Sequence, residues 1–410
     1  MKTGLRLARN SRRSTTEVNR YSNLVRLQEA KINKGWCMAR KAKATANELK
    51  SKLISEQKTP SDLRLSSGVR MLNFASSGTE EYAYIPGSYY LMVGASRSGK
   101  TFLCLQALAE ASICSKFDKY TLVYDNVERG AHLSIGKFFG KGLADRLVSP
   151  SDRGASYTVE EFYYNLDDTL NKGPCIYVLD STDSLTSDSE QKKFKENKSI
   201  HRRAVASGKE AEAKGSYGDG KAGKHSANLR HIIAKLDTTQ SLLFIISQSR
   251  DNIGHDAVFN PQTRAGGRAL TFFATIELWF SIKGKIRKNI LGLDRVVGSK
   301  LMVQIKKNRV KGTERSVVIP YYPSFGTDDT GAGVEYLIEE GVWKATKEKL
   351  NDTKGMVDGM SWEEGIKTIE EAKDLKIDFW EIIGERWAKV EAACNIQRTF
   401  RYGEQVKEGE

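Results

Sequence analysis

Eight residues rich in glycine and serine lie between an apolar run and a helical run. They are Gly94-Ala95-Ser96-Arg97-Ser98-Gly99-Lys100-Thr101, preceded by YYLMV and followed from Phe102 by FLCLQALAEAS. In this strand, loop and helix order, the glycines let backbone N–H groups converge on phosphate oxygens at a helix N-terminus. Lys100 is expected to reach the β- and γ-phosphates and Thr101 the magnesium ion. The motif predicts a P-loop that binds ATP and Mg²⁺ through residues 94–102.

A second apolar run, CIYVLDS, ends in Asp180 and Ser181. The end of a buried parallel strand faces the ligand crevice of an open α/β sheet. A carboxylate placed there beside a P-loop can hold Mg²⁺ through water. Thr101 and Asp180 are therefore the expected metal-binding residues.

Two carboxylates follow a third apolar run, TLVYD, at Asp125 and Glu128. ATP hydrolysis needs a carboxylate that orients the attacking water, and both acids are candidates. Each has an alternative role as a helix-capping or solvent-facing acid.

Short β-branched or aromatic runs separated by helical stretches extend from about Leu63 to Trp343 and predict an α/β fold with a mainly parallel sheet. The strand candidates are Tyr89–Val93, Thr121–Tyr124, Cys175–Leu179, Ser241–Ser247, Thr275–Ile282, Leu301–Ile305 and Arg315–Pro320. We expect three parts: a basic helical region over residues 1–62, an ATPase core over 63–343, and a small helical C-terminal region over 344–410 with a disordered tail.

Residues 186–226 interrupt this pattern because they are polar, rich in Gly and Lys, and almost free of apolar periodicity. They predict a mobile loop. From Thr186 to Arg230 there are 11 Lys or Arg against 6 Asp or Glu, which suits contact with a phosphate backbone. A solvated insertion is the alternative.

The chain has 410 residues and a formal net charge of +14, an excess that suits a polyanionic partner. Met1 to Leu53 alone hold 14 Lys or Arg against 3 Asp or Glu. The five cysteines form no CxxC pair, so we expect reduced thiols and no zinc site. No apolar run approaches the roughly 20 residues that span a bilayer, and the basic N-terminus has no secretory apolar run. We expect an intracellular protein with no membrane partner.

The chain resembles the bacterial RecA recombinase family from about Leu65 to Trp343. The resemblance begins at the P-loop and its lead-in and continues through CIYVLDSTDSLTS. Its most specific part is the series LLFIISQSRDNIG, FNPQTRAGGRALTFFATIELWF and KNRVKGTERSVVIPYYPSFGTD, which follows the family's order and spacing. The resemblance implies a RecA-like P-loop core, DNA-dependent ATPase activity and assembly into a homo-oligomer.

The resemblance also implies roles for residues outside the P-loop. Gln248 matches the γ-phosphate sensor, while Lys307 and Arg309 match cations that contact a neighbouring subunit's ATP. The second DNA-binding loop matches residues 250–266, and residues 186–226 correspond to the first. The implied DNA contacts are Lys192, Lys193, Lys195, Arg202, Arg203, Lys221, Lys224, Arg250, Phe259, Asn260, Arg264, Gly266 and Gly267.

Two departures from the family pattern affect the site. The family has D-x-E after its strand, whereas this chain is one residue longer between Asp125 and Glu128. Alignment of the downstream Gly140 favours Glu128 as the water-orienting base, with Asp125 as the alternative. The aromatic residue that stacks on adenine in the family falls at Ile135, which implies a different contact to the base.

The resemblance predicts an ATP-dependent recombinase that assembles on single-stranded DNA and pairs it with a homologous duplex during recombination and repair. A helical filament in the cytoplasm of a bacterial or phage-infected cell, associated with the nucleoid, is the expected setting. One alternative is a hexameric helicase or branch-migration motor built on the same core. Another is a RecA-like ATPase that switches a protein partner without strand exchange.

Overall fold

The computed structural model describes residues 63–130, 133–207, 220–251, 262–264, 267–346, 349–352, 355–396 and 398. The predicted N-terminal region and the predicted C-terminal tail after Tyr402 lie outside the described residues. The described part of the chain forms one compact unit.

Helices and strands alternate along most of the chain. The helices are α1 (Arg70–Ser77), α2 (Lys100–Ile113), α3 (Ile135–Arg146), α4 (Val159–Lys172), α5 (Asp188–Ser207), α6 (Lys221–Thr239), α7 (Arg268–Phe273), α8 (Asp329–Glu339), α9 (Trp362–Glu371) and α10 (Lys373–Cys394). The strands are β1 (Ser88–Gly94), β2 (Thr121–Asn126), β3 (Leu147–Val148), β4 (Cys175–Asp180), β5 (Leu242–Asp251), β6 (Gln262–Arg264), β7 (Ile276–Ile290), β8 (Leu293–Asn308), β9 (Ser316–Tyr322), β10 (Gly326–Thr327), β11 (Lys344–Ala345) and β12 (Leu350–Asn351).

The main sheet has the strand order β10-β9-β8-β7-β1-β5-β4-β2-β3. The strands from β3 to β7 in that order pair in parallel, and β8, β9 and β10 extend one edge in antiparallel fashion. The predicted α/β class and mainly parallel sheet are confirmed, and every strand candidate falls on an observed strand. The parallel strands bring the ends of β1, β2, β4 and β5 to one edge, where βαβ folds bind ligands.

Both faces of the sheet are buried, because the side chains of each strand alternate between two core layers. On β1, Tyr90 and Met92 join one layer with α2, whereas Tyr89, Leu91 and Val93 join the other with α4 and α6. This burial on both faces explains why β1 has a continuous apolar sequence.

Strands β7 and β8 form a long hairpin that the sequence predicted only at its base. The apolar pattern ended at Ile282 and resumed at Leu301, but pairing continues outward to Ile290 and Leu293. The outer residues are mostly exposed. They lack the alternation of a half-buried strand, and this signal is the one on which strand prediction depends.

Residues 186–226 are not the loop that their composition predicted. Helix α5 occupies Asp188–Ser207, and α6 begins at Lys221. No residue of α5 is buried, so the helix lacks the apolar stripe by which amphipathic helices are recognised. Residues 208–219 lie outside the described range.

The C-terminal helices belong to the same core as the ATPase sheet. Ile369 of α9 and Phe379, Ile383 and Trp387 of α10 are buried in the layer that contains Phe74 of α1. The predicted helices are present, but they are part of one compact unit rather than a separate domain.

The described cysteines, Cys104, Cys114, Cys175 and Cys394, are free thiols, as predicted. In the described part of the chain, no helix combines the length and apolar character that crossing a bilayer requires.

Candidate nucleotide site

The P-loop joins the end of β1 to the start of α2, and its backbone is tightly enclosed. A Cβ atom on Gly94 would lie 2.4 Å from the carbonyl oxygen of Phe280, and one on Gly99 would lie 2.4 Å from Leu301 Cδ1. Gly99 also has a φ of 93°, a conformation that favours glycine. Glycine is therefore required at both positions, and the loop presents the first N–H groups of α2 to the cleft.

Lys100 is buried within the loop that it is expected to serve. Its Nζ donates to the carbonyl oxygens of Gly94 at 2.8 Å and Ala95 at 2.7 Å. Burial lowers the pKa of Lys100, and the carboxylates of Asp180 and Glu128 act in the opposite direction. Lys100 Nζ thus lies next to the N-terminus of α2, where anions bind.

Asp180 and Thr101, the predicted metal-binding pair, are in direct contact. Thr101 Oγ1 donates to Asp180 Oδ2 at 2.7 Å, and the hydroxyl of Tyr124 on β2 donates to the same oxygen at 3.0 Å. Burial raises the pKa of Asp180, and both hydrogen bonds oppose this rise. Sequence reasoning missed Tyr124 because its role depends on the pairing of β2 with β4.

The donor set at this position fits Mg²⁺. A hydroxyl and a carboxylate are hard oxygen ligands, and Mg²⁺ in nucleotide sites takes one or two protein ligands together with phosphates and water. Among the described residues, no group of three or more His, Cys, Asp or Glu could form a protein-only metal cage. Mg²⁺ at Thr101 and Asp180 would instead depend on bound nucleotide.

The two candidate acids lie in different environments. Asp125 is fully buried and accepts hydrogen bonds from Ser156 N at 2.9 Å, Ser156 Oγ at 2.6 Å and Tyr177 OH at 2.8 Å. Glu128 instead lines the cleft with the P-loop. The structure therefore places Asp125 outside the cleft and leaves Glu128 as the candidate base.

Glu128 connects the turn after β4, the strand that ends in Asp180, to the end of β5. Its Oε1 accepts from Ser181 Oγ at 2.6 Å and from Gln248 Nε2 at 2.8 Å. The backbone N–H of Gln248 donates to Asp183 Oδ2 at 2.7 Å. Gln248 thus contacts both Glu128 and the turn after β4. The sequence pattern did not reveal that Ser181 and Asp183 take part in this arrangement.

The cleft has a volume of about 510 Å³. Its lining includes the apolar or aromatic residues Phe102, Leu133, Ile282, Tyr321 and Pro323, and the rings of Phe102 and Tyr321 meet edge to face. Ile135, where the family aromatic residue falls, begins α3 and does not line the cleft. Sequence reasoning missed Tyr321, an aromatic residue of the cleft lining that lies within the run VVIPYYPSFG.

Lys307 and Arg309 do not line the cleft of their own chain. Lys307 Nζ donates to the carbonyl oxygens of Thr271 at 2.5 Å and Phe272 at 2.9 Å, and Arg309 Nη2 donates to Phe272 O at 2.8 Å. Burial lowers the pKa of Lys307 to about 8, with Arg309 adding to the effect. Both cations therefore cap the C-terminal end of α7, beside the exposed ring of Phe272.

The predicted DNA-binding residues divide into four groups. Lys192, Lys195, Arg202 and Arg203 are exposed on α5, and Lys193 is half-exposed. Phe259, Asn260 and Gly266 lie outside the described residues, as does the side chain of Arg264. Gly267 precedes α7 with a φ of 75°, and a Cβ atom there would lie 2.6 Å from Ala222 Cβ, which indicates a packing role.

Lys221, Lys224 and Arg250 already have acidic partners. Lys221 pairs with Glu190 at 3.3 Å, Lys224 pairs with Glu160, and Arg250 approaches Asp183 at 3.7 Å. Lys221 and Lys224 therefore hold the start of α6 in place, which the composition of this segment could not indicate.

The buried His225 also attaches α6 to the turn that follows β4. His225 Nδ1 lies 2.9 Å from Tyr163 OH, and its Nε2 lies 3.1 Å from Thr182 Oγ1. The C-terminal end of the polar segment 186–226 is thus attached to the turn that follows Asp180.

Comparison with known proteins agrees with this geometry. A family model described as the RecA N-terminal domain matches residues 200–322, the part that contains Gln248, Lys307 and Arg309. Over part of its length, this chain is similar to RecA proteins. It is 27% identical over 255 residues to Protein RecA of Thioalkalivibrio sulfidiphilus, covering 61% of this chain and 64% of that protein.

Further RecA proteins match to a similar extent. Protein RecA of Azoarcus sp. is 29% identical over 224 residues, 53% of this chain and 54% of that protein. Protein RecA of Zymomonas mobilis is 27% identical over 255 residues, 61% of this chain and 62% of that protein. The chain thus spans somewhat over half the length of these relatives. The RecA-like core is shared, and the activity of the whole protein is a proposal.

Proposed function

We propose that the protein is an ATP-dependent DNA recombinase, which assembles on single-stranded DNA and pairs that strand with a homologous duplex. The observation that carries this proposal is the hydrogen bond between Glu128 and Gln248. It joins the candidate base of ATP hydrolysis to the strand that leads into residues 250–266, the proposed second DNA-binding loop. Through this contact, DNA binding and the state of the nucleotide can influence each other.

The residues of the cleft have complementary roles in the proposed ATPase. Bound ATP and Mg²⁺ would supply the reacting phosphoryl group and a metal that neutralises its charge. Lys100 and the backbone of the P-loop hold the phosphate end, and Thr101 with Asp180 holds the metal. Glu128 orients water, and the amide of Gln248 fixes the direction of its carboxylate. Tyr321 encloses the base.

Lys307 and Arg309 are the proposed contribution of a neighbouring subunit. They lie away from their own cleft, and their contact with the exposed end of α7 leaves them near the surface. A cation supplied by a neighbour makes hydrolysis depend on assembly. This dependence suits a homo-oligomeric filament on DNA.

The proposed DNA contacts are mainly electrostatic. Helix α5 presents exposed cations without burying an apolar residue, so its exposed surface is available to a polyanion. Because base pairing supplies sequence recognition during homologous pairing, the protein needs contacts chiefly with the backbone.

The proposal is tested by measuring ATP hydrolysis with and without single-stranded DNA. The wild type should be stimulated by DNA, Lys100→Ala should be inactive, and Glu128→Gln should bind ATP without turning it over. An ATP hydrolysis rate that is the same with and without DNA would instead support an ATPase that switches a protein partner. Electron microscopy with an ATP analogue should show helical filaments, and closed rings would support the helicase alternative.

A further inference from the structure

The outer part of the β7–β8 hairpin is a two-stranded ribbon without a third strand. Ser299 is the outermost residue of β8 that pairs with β9, and from Gly298 to the turn β8 pairs only with β7. The ribbon is held by α9 at two levels: Lys288, near the tip, pairs with Glu363, and the ammonium of Lys300, at the base, lies 5.6 Å from the ring centroid of Trp362. A ribbon anchored at its base can keep its shape while its tip remains in solvent.

The turn at the tip has an unfavourable residue. Leu291 has a φ of 56° and Gly292 a φ of 80°, which are the signs of a type I′ turn, and Ile290 pairs directly with Leu293 across it. Asn or Gly normally occupies the first position because a branched apolar residue is strained in the left-handed region. Leu291 is nevertheless 92% exposed. It gains nothing from burial in this fold, so its strain suggests a role outside the fold.

One face of the ribbon combines an apolar step with a cationic step. Ile290 pairs with Leu293, and Lys288 pairs with Arg295 two residues further in. Residues two apart on a strand share a face, so these four side chains lie on the same side. Glu363 already pairs with Lys288, so the exposed Arg295 is the cation of this face that a polyanion can reach.

The ribbon as a whole is strongly cationic. Lys283, Lys285, Arg287, Lys288 and Arg295 are its cations between positions 283 and 295, and Asp294 is its only carboxylate. Three of these cations already have acidic partners, Lys283 with Glu339, Arg287 with Asp294 and Lys288 with Glu363. The exposed Lys285 and Arg295 add positive charge near the apolar point formed by Ile290, Leu291 and Leu293. Such a surface matches a partner in which phosphates flank an apolar interior.

We propose that this ribbon tip is a wedge for duplex DNA, with Leu291 entering between base pairs while Arg295 contacts a phosphate. Apolar side chains that insert at base steps unstack and bend a duplex, and a two-stranded ribbon fits the major groove. The wedge rests on the proposed function and adds a contact site separate from α5 and residues 250–266. It would open the homologous duplex for pairing.

A second copy of this chain or another protein is a poorer match to the tip. Protein interfaces are depleted in lysine at their centres, whereas the exposed Lys285 and Arg295 add positive charge near this apolar point. The charge on the ribbon favours a polyanion.

The test uses the full chain and the variant Leu291→Asn. Asparagine suits the first position of a type I′ turn, so this variant should fold at least as well as the wild type. Ile113→Asn is the matched control, because Ile113 is an apolar residue that is 77% exposed at the end of α2. Binding is measured with ATP analogue to a duplex and to a single strand of the same length, and 2-aminopurine in the duplex reports unstacking.

Loss of one apolar contact should weaken duplex binding by about tenfold in Leu291→Asn and remove the rise in 2-aminopurine fluorescence. In the same variant, single-strand affinity and ATP turnover without DNA should change by less than about twofold, well below the tenfold effect of the lost apolar contact. Arg295→Gln should reduce the salt dependence of duplex binding, whereas Arg153→Gln, at an exposed position outside the ribbon, should not.

Equal loss on duplex and single strand, or no loss on either, would overturn the wedge. A change in assembly of Leu291→Asn without DNA, seen by sedimentation, would identify the tip as a contact between protein chains instead. Failure of the wild type to bind any DNA would overturn the proposed function itself, so the two failures are distinguishable.

Discussion

At the scale of single residues, the phenol of Tyr124 acts directly on the expected metal ligand. Tyr124 and Thr101 donate to the same oxygen of Asp180. The two donors fix the orientation of a carboxylate whose burial disfavours its charged form. Tyr124 is thus a positioning residue that acts through Asp180.

We expect Tyr124→Phe to raise the Mg²⁺ concentration for half-maximal ATP hydrolysis by about tenfold, a usual effect of removing a partner of a metal ligand. Nucleotide binding without metal should be unchanged. Tyr120→Phe is the control, because the Tyr120 hydroxyl bonds to Gln240 O, which does not line the cleft. An unchanged Mg²⁺ requirement in Tyr124→Phe would contradict the positioning role.

Lys307 should make activity sensitive to alkaline pH. Its pKa is about 8, so its side chain is charged below that pH and becomes neutral above it. If the cation acts on a neighbour's ATP, DNA-stimulated turnover should fall as pH rises through about 8. Lys307→Arg should retain activity at higher pH, because arginine stays protonated. A profile that is the same for both proteins would argue against a charged role for Lys307.

The sequence motifs predicted that Lys100, Thr101 and Asp180 share one site, and the structure brings all three to the same cleft. The motifs left the choice between Asp125 and Glu128 open, because only the folded chain shows that Ser156 and Tyr177 enclose Asp125. Tyr124 and Ser181 escaped notice for a related reason. Their contacts depend on how neighbouring strands are aligned, and this register is not encoded in local spacing.

At the scale of elements, α5 shows that a mostly polar helix cannot be predicted from apolar periodicity in its sequence. A helix without a buried face has no apolar periodicity, so its composition resembles that of a loop. The basic character was read correctly, and it is the property on which the proposed DNA contact depends. Strands were easier to predict, because β1 and β4 are buried on both faces.

Neutralising α5 should therefore weaken DNA binding without unfolding the chain. We expect substitution of Lys192, Lys195, Lys198 and Arg202 by Gln to flatten the dependence of single-strand affinity on salt, by roughly 0.7 in the log–log slope for each lost phosphate contact. A matched variant replaces the exposed lysines Lys344, Lys367, Lys373 and Lys389. Equal slopes in the two variants would show that α5 does not contact DNA.

At the scale of the whole molecule, the C-terminal helices and the sheet share one core layer. We expect Phe379→Ala to destabilise the protein by about 3–5 kcal/mol and to shift one common transition. Far-ultraviolet circular dichroism and ATP-analogue binding should lose signal at the same temperature. Tyr164→Ala, at a 63% exposed aromatic residue, should have little effect. Early melting of helix with nucleotide binding intact would indicate an independent C-terminal domain.

Strand β8 passes three distant places in succession. It begins at Leu293 beside the ribbon tip, presses Leu301 against Gly99 of the P-loop, and reaches Lys307 at the end of α7. Sixteen residues at about 3.3 Å each give it a length of roughly 50 Å. Because residues 299–304 of β8 pair with a strand on each side, the strand can transmit force along its length. Mechanical load on its outer end would then reach both the P-loop and the end of α7.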